Sequence, residues 1–185
     1  MIADTIQEAD SRMSSTVAHT KEEFAAIRTG RAHPGMFAKI TADYYGTQTP
    51  LQQLASIQVA DARMVLITPF DTNATNGIEK AIRDSDLGVN PATDGNQIRV
   101  SLPELTEERR KEYTKLAKTK AEEGRVAIRN SRRQAKDALD KLVKDKEVGE
   151  DEVTRAEKDL DARTKKYTDQ IDELLKNKEA ELLEV

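Results

Sequence analysis

The chain has 185 residues, of which 35% are charged and only 4% aromatic, and its formal net charge is −4. This composition is typical of long solvated helices, and the absence of cysteine excludes disulfide bonds and thiolate chemistry. No apolar run is long enough to span a bilayer, and the first residues lack the pattern of a signal peptide. We therefore expect a cytoplasmic protein that does not contact a membrane.

The first predicted element is an amphipathic helix over residues 2–28. Apolar and small residues recur every three or four positions, as a single buried helix face requires. They are Ile2, Ile6, Ala9, Met13, Val17, Thr20, Phe24 and Ile27. Gly30 suits the left-handed conformation that ends many helices, and Pro34 opposes simple continuation.

Residues 36–102 differ in character, because β-favouring runs alternate there with glycine and proline. The runs predict four strands, over residues 36–45, 55–59, 64–68 and 97–102. Residues 73–84 predict a short helix that buries Ile78, Ala81 and Ile82, with Asp71 or Thr72 as its N-cap. We read this segment as a small α+β unit.

Two further long helices follow. Thr106 is the predicted N-cap of the first, which continues to about Lys144, and Gly149 separates it from the second. Because each of the three long helices carries one apolar stripe, they predict a three-helix bundle. The α+β unit is then an insertion joined by two short connections near Gly30 and Pro103, about which it can swing as a body.

One face of the helix that follows Thr106 is strongly basic. Residues 109–136 carry 11 basic and three acidic side chains, a net +8, whereas the segments before and after each carry −6. Cations lie within an arc of about 100° on a helical projection. They are Lys111, Lys115, Lys118, Arg125, Arg129, Arg132 and Lys136, with Arg133 beside them.

Such a basic face has two interpretations. It can simply solvate a long helix, in which case carboxylates should pair with its cations, or it can bind a polyanion. Because few carboxylates occur between residues 109 and 136, we favour nucleic acid, with Arg129, Arg132 and Arg133 as the sharpest candidates. Arg28 and Arg31 at the bundle tip are open to both readings, helix-terminal charge or a second phosphate contact.

No site for chemistry can be argued from the residues. The two histidines lack neighbours at metal-ligand spacing, no glycine-rich phosphate loop occurs, and no nucleophile-and-base set is recognisable. We expect neither a metal nor a cofactor, no small-molecule substrate and no enzymatic activity.

Several strings of this sequence resemble the ribosome recycling factor family. Their order and spacing cover essentially the whole chain. The strings are residues 27–32 with Pro34, residues 44–47 with Pro50 and Leu51, residues 105–111, residues 126–130 with Arg132 and Arg133, and residues 145–147.

The resemblance implies an L-shaped, two-domain α+β molecule. Its three-helix bundle, residues 1–30 and 105–185, would bind ribosomal RNA of the large subunit, and residues 31–104 would form a small inserted α/β domain with a β/α/β sandwich-like arrangement. The hinge would comprise Thr29, Gly30, Arg31 and Ala32 together with Ser101, Leu102, Pro103, Glu104 and Leu105.

The resemblance also implies a function and partners. Such a factor acts as a monomer with elongation factor G and GTP to split the post-termination ribosome into subunits, and the GTP is hydrolysed by that partner. The RNA-facing arginines implied are Arg129, Arg132 and Arg133, with Arg28 and Arg31 at the bundle tip. The rival interpretation is a helical adaptor or co-chaperone that holds a protein partner on the bundle surface.

Overall fold

The computed structural model describes residues 1–184 and divides into two compact units. The first unit comprises Met1–Phe24 and Lys115–Glu179, and the second comprises Ala25–Thr114 with the C-terminal residues from Ala180 onward. None of the helices in the described part of the chain is long and apolar enough to cross a membrane.

Three long helices build the first unit: α1 (Ile2–Ala25), most of α4 (Glu107–Lys144) and most of α5 (Glu150–Leu183). Each buries one stripe of apolar and small residues, as the sequence predicts. Met13 on α1, Ile128 on α4 and Ile171 on α5 are each 0% exposed. The helices approach one another closely at Gly124, where a Cβ atom would lie 2.7 Å from Thr20 Oγ1 and 2.8 Å from Ile171 Cδ1. The predicted three-helix packing is therefore present.

The ends of α4 follow from local chemistry. The backbone amide of Arg109 donates to Thr106 Oγ1 at 3.1 Å, so Thr106 is the N-cap that the sequence predicts. At the other end, Lys146 has a φ of 58°, and the amides of Lys146 and Glu147 donate to the carbonyls of Val143 and Leu142. This pair of bonds is a Schellman motif with Lys146 as its left-handed residue, so α4 ends at Lys144, before Gly149 is reached.

The second unit contains two antiparallel sheets. One is the hairpin of β1 (Thr41–Tyr44) and β2 (Thr47–Pro50). The other has four strands in the order β3-β4-β6-β5. They are β3 (Ala55–Asp61), β4 (Met64–Pro69), β5 (Asn90–Asp94) and β6 (Gln97–Ser101). In the pairing of β4 with β6, Val65 faces Val100 and Ile67 faces Ile98, all fully buried, so the centre of this sheet is apolar.

Two short helices contribute apolar side chains to this core. The short helix α2 (Leu51–Leu54) buries both of its leucines, and α3 (Thr75–Arg83) buries Ile78 and Ile82. A 3-10 turn at Thr72–Ala74 precedes α3, and Asp71 caps it by accepting from the amide of Asn73 at 2.9 Å. The predicted helix is thus confirmed, whereas Asp71 caps the 3-10 turn before it, and the N-cap position of α3 itself is Ala74, which makes no side-chain cap.

Several boundaries differ from prediction. Helix α1 ends at Ala25 rather than residue 28, and the first predicted strand begins only at Thr41, because residues 34–37 form a 3-10 turn. Strands β2 and β5 were not predicted. Their sequences are polar, since β2 and the edge strand β5 are largely solvent-exposed and need no apolar alternation.

Candidate nucleic-acid interface

Helix α4 holds the eight cations of the basic face in one continuous element. Lys111, Lys115, Lys118 and Arg133 are exposed, and the Arg129 side chain is 58% exposed. Three members are less accessible, with side-chain exposures of 21% for Arg125, 35% for Arg132 and 40% for Lys136. Arg132, one of the sharpest candidates from the sequence, is therefore only partly accessible.

The position of the buried stripe explains this partial burial. The α4 residues that pack inside the bundle are Ala117, Ala121, Gly124, Ile128, Ala135 and Leu139. On a helical projection this stripe lies beside the basic arc and not opposite to it, so its neighbours Arg125 and Arg132 sit at the margin of the packed surface. Their long side chains cover part of the helix junction while the guanidinium groups reach solvent.

Carboxylates of α5 pair with these marginal cations. Arg125 binds Asp172 and Arg132 binds Asp161, each at 2.7 Å, and Lys136 Nζ lies 3.2 Å from Glu157. We call these three pairs the α4–α5 ladder. The expectation that acidic partners are missing was wrong, because they come from a helix that is distant in sequence.

Carboxylates on α4 itself complete the pairing. Glu122 accepts from Arg125 at 3.1 Å and from Arg129 at 3.2 Å, and these hydrogen bonds lower the pKa of Glu122. Burial opposes the charge on Arg125, but the bonds to Asp172 and Glu122 outweigh it and raise its pKa. Bonds to Glu157 and Asp140 likewise raise the pKa of Lys136. These pKa shifts favour the charged forms of Glu122, Arg125 and Lys136.

The junction of α4 and α5 forms an open, charged groove. Its lining consists of Glu122, Arg125, Arg129, Asp161, Thr164, Lys165, Thr168 and Asp172. On its α4 side, Lys115, Lys118 and Arg133 have no carboxylate within 4.0 Å among residues 1–184, and Arg133 donates only to the amide oxygen of Asn130 at 3.0 Å. These three cations are the ones most directly available to an anion.

The two arginines near the end of α1 have different environments. Arg28 is 4% exposed, and its guanidinium donates to the carbonyls of Leu87, Gly88 and Pro103 within the second unit. Burial lowers the pKa of Arg28. The structure thus argues against a surface phosphate contact for Arg28, because the side chain is buried and both of its terminal nitrogens already donate to backbone oxygens.

Arg31, by contrast, lies at the surface. Its side chain is 76% exposed, and Nε lies 3.8 Å from the Glu184 carboxylate. Such an exposed pair contributes little to stability and does not hold the guanidinium in place. Of the two arginines, only Arg31 is accessible to an external anion.

The comparisons with known proteins decide the family. The ribosome recycling factor profile matches residues 20–183. The ribosome-recycling factor of Cutibacterium acnes is 65% identical over 184 residues, and that of Streptomyces coelicolor 64% identical over 185, with complete coverage of both chains in each case. This chain belongs to the ribosome recycling factor family.

Solved structures of the family share its fold. A solution structure of a ribosome recycling factor is 41% identical, with a TM-score of 0.76 over all of this chain and 98% of the other. A second similar structure is that of the T. thermophilus ribosome recycling factor, described with E. coli elongation factor G bound to the E. coli post-termination complex. It is also 41% identical, with a TM-score of 0.70 over the full length of both chains.

The hinge expected for a ribosome recycling factor lies wholly inside the second unit. The amide of Ala32 donates to the Ala62 carbonyl at 2.7 Å, and that of Leu102 donates to the Arg63 carbonyl at 2.9 Å. Arg63 also pairs with Glu104 at 2.7 Å. The turn between β3 and β4 therefore ties both predicted hinge segments to the small sheet, a role that no local sequence signal indicates.

The unit boundaries also lie elsewhere. The chain divides after Phe24, after Thr114 and after Glu179, so the first turns of α4 belong with the small sheet. The expected domain limits at residues 30 and 105, and the hinge itself, remain predictions for this member of the family.

The two histidines have partners close in sequence. His33 Nδ1 accepts from the amide of Gly35 at 2.9 Å, and His19 lies 3.6 Å from Glu23. Residues 1–184 contain no group of three or more side chains suited to holding a metal ion.

Proposed function

We propose that this chain acts with an elongation factor G-type translocase and GTP to split post-termination ribosomes into subunits, and that the basic face of α4 anchors it on ribosomal RNA of the large subunit. The observation that carries the RNA contact is the row of eight cations on one helix face. Family membership and the similar structure on a post-termination complex support the ribosomal role. The chain itself serves as a non-enzymatic effector, since the partner hydrolyses the GTP.

Phosphate binding begins at the cations that lack carboxylate partners. Lys115, Lys118 and Arg133 attract the RNA backbone, and Arg129 follows because only the exposed Glu122 competes for it. Guanidinium groups bind phosphate with two parallel hydrogen bonds, so each arginine fixes orientation as well as charge.

The α4–α5 ladder makes deeper engagement an exchange reaction. For Arg132 or Arg125 to bind phosphate, each must release or share the α5 carboxylate that it holds at 2.7 Å. Both pairs are partly exposed and screened by solvent, so the exchange costs little. The carboxylates then make binding selective for a row of phosphates. An isolated anion gains little by displacing one carboxylate, whereas a correctly placed row of phosphates displaces several at once.

The small sheet unit serves as the lever in this proposal. The basic face would hold the bundle on the large subunit while the translocase displaces the other domain about the segments near residues 29–32 and 101–105. Arg28 and the turn at Ala62 and Arg63 fasten these segments to the small unit. They would therefore move with that unit, and the chain would bend on the bundle side of these segments.

A subunit-splitting assay tests the proposal. Post-termination ribosomes, elongation factor G and GTP are mixed with the chain, and light scattering follows dissociation. We expect splitting by the unmodified chain and a marked loss with the double variant Arg129→Ala and Arg132→Ala. The control is Arg155→Ala, which removes one positive charge from the separate groove between α1 and α5.

The outcomes separate the two parts of the proposal. No splitting by the unmodified chain would refute the ribosomal role, and equal splitting by the double variant and the control would refute the basic face as anchor. If binding to the large subunit persists after nuclease treatment, the adaptor alternative would be favoured.

A further inference from the structure

Two tyrosine rings pack together in the small unit, beside the chain segment that carries Phe70 and Asp71. The chain has only four tyrosines and three phenylalanines, and Tyr44, Tyr45 and Phe70 all belong to this unit. The rings of Tyr44 and Tyr45 are 4.6 Å apart in edge-to-face geometry, and the Tyr44 hydroxyl donates to Asp71 Oδ2 at 2.6 Å. Phe70 directly precedes Asp71. With Asp43 and Asn73, these residues form what we call the aromatic patch.

The outer rings of the patch are open to solvent. Tyr45 is 75% exposed and Phe70 is 71% exposed. Apart from Leu183, these are the highest exposures of large hydrophobic side chains among residues 1–184. Single exposed apolar residues are common, whereas an exposed ring packed on a second ring forms the kind of contiguous surface that marks interaction sites. Tyrosine and phenylalanine are also enriched where proteins bind one another.

Tyr45 occupies a backbone position that disfavours tyrosine. It has a φ of 51° and Gly46 a φ of 83°, the left-handed pair of a two-residue hairpin turn between β1 and β2. Asparagine and glycine are preferred at such positions, and a bulky residue is strained there. Because the ring is exposed, burial does not offset the strain, and the Tyr45 hydroxyl accepts a hydrogen bond from Asn73 Nδ2 at 3.2 Å. Strain held at an exposed aromatic points to a contact role.

The carboxylates of the patch indicate the charge of the partner. Hydrogen bonds from Tyr44 and from the amide of Asn73 lower the pKa of Asp71, so this group stays ionised. Asp43 accepts from the amide of Gly46 at 2.8 Å. Neither carboxylate has a cation within 4.0 Å in the part of the chain that the structure describes. Two negative charges beside the rings repel a phosphate backbone.

We propose that the aromatic patch docks a protein surface that presents arginine or lysine side chains beside apolar groups, within the complex on which the proposed function acts. A guanidinium or ammonium group stacks on an exposed tyrosine face and pairs with a neighbouring carboxylate. An RNA partner would gain from the rings but lose through the carboxylates. The inference rests on the proposed function, but it concerns the small unit and not the basic face.

The first test uses variants that keep the hairpin. Tyr45→Asn removes the ring and installs a residue that the turn favours, so folding is retained. In the splitting assay with ribosomes, elongation factor G and GTP, we expect the half-saturating concentration of the chain to rise about tenfold, as on truncation of a central interface residue. Tyr45→Phe keeps the ring and should retain near-normal splitting. Val59→Thr, at another exposed apolar position of the same unit, is the matched control.

Binding of the Tyr45→Asn variant to isolated large subunits should remain normal, because the basic face is unchanged. Normal splitting by Tyr45→Asn would overturn the inference while leaving the proposed function intact. Absence of splitting by the unmodified chain would instead overturn the proposed function.

The second test identifies the partner directly. Benzoylphenylalanine replaces Tyr45, and the purified splitting mixture is irradiated with a non-hydrolysable GTP analogue. We expect a cross-link to a peptide of elongation factor G or of a ribosomal protein that contains arginine or lysine near the attachment point. Cross-linking to RNA, or no product beyond that of the same probe at Val59, would overturn the inference.

Discussion

Replacement of Asp161 by asparagine should strengthen binding to ribosomal RNA. Asp161 holds Arg132 at 2.7 Å in the α4–α5 ladder, and the two side chains are 56% and 35% exposed. Pairs of this exposure are worth about 0.2–1 kcal/mol. If phosphate must displace the carboxylate, removing the carboxylate should return that free energy to binding, which corresponds to an affinity gain of about 1.4- to 5-fold.

The assay is an equilibrium titration of purified large subunits with fluorescently labelled chain at fixed salt. Loss of any negative charge strengthens binding slightly, so the comparison is with Asp151→Asn, an exposed acidic residue at the start of the same helix. Thermal melting of both variants verifies that the bundle is intact. The predicted result is a gain for Asp161→Asn beyond that of the control.

A double-mutant cycle isolates the mechanism. In a background of Arg132→Ala, Asp161→Asn should give no more than the control effect, because there is no longer a cation to release. An Asp161→Asn gain that is equal to the control, or that persists without Arg132, would refute the exchange reasoning.

Three further predictions concern single side chains. Arg28→Met should destabilise the small unit by about 3 kcal/mol in urea unfolding, because three backbone carbonyls lose their charged donor, and an unchanged midpoint would contradict a stabilising role for these bonds. Ile128→Ala should cost about 2–5 kcal/mol, since the side chain is 0% exposed, and a loss below 1 kcal/mol would contradict the bundle packing. Ultraviolet titration should find one tyrosine with a pKa of about 12, Tyr44, whose hydrogen bond to Asp71 raises the pKa from 10.0. Because the folded state then keeps this proton longer than the unfolded state, stability should fall between pH 10 and 12, and Asp71→Asn should abolish the raised pKa.

Local sequence signals predicted the elements whose chemistry is local. Apolar periodicity located the three long helices. Thr106 was predicted as an N-cap from its residue type, and in the structure its side-chain oxygen accepts from the amide three residues on. Asp71 was also predicted as a cap, and it accepts from an amide two residues on, at the start of the 3-10 turn that precedes α3. Strands β2 and β5 escaped prediction because little of either is buried, so neither shows alternation.

The candidate site depended on contacts between distant residues, and there the sequence was less informative. The basic face was visible, but its carboxylate partners on α5 are 21 to 47 residues away. The sequence did not reveal that Arg28 is buried, because its three carbonyl partners lie 59 to 75 residues further along the chain. Helical periodicity places a side chain on a face but does not show which neighbour covers it.

The most direct test of the central claim is the salt dependence of binding to the large subunit. Counterion release makes the logarithm of the affinity fall linearly with the logarithm of salt concentration, with a slope set by the number of phosphate contacts. For the double variant Arg129→Ala and Arg132→Ala, we predict that the slope falls by about two, one for each lost contact, while Arg155→Ala leaves it unchanged. An unchanged slope in the double variant would contradict phosphate binding by the basic face.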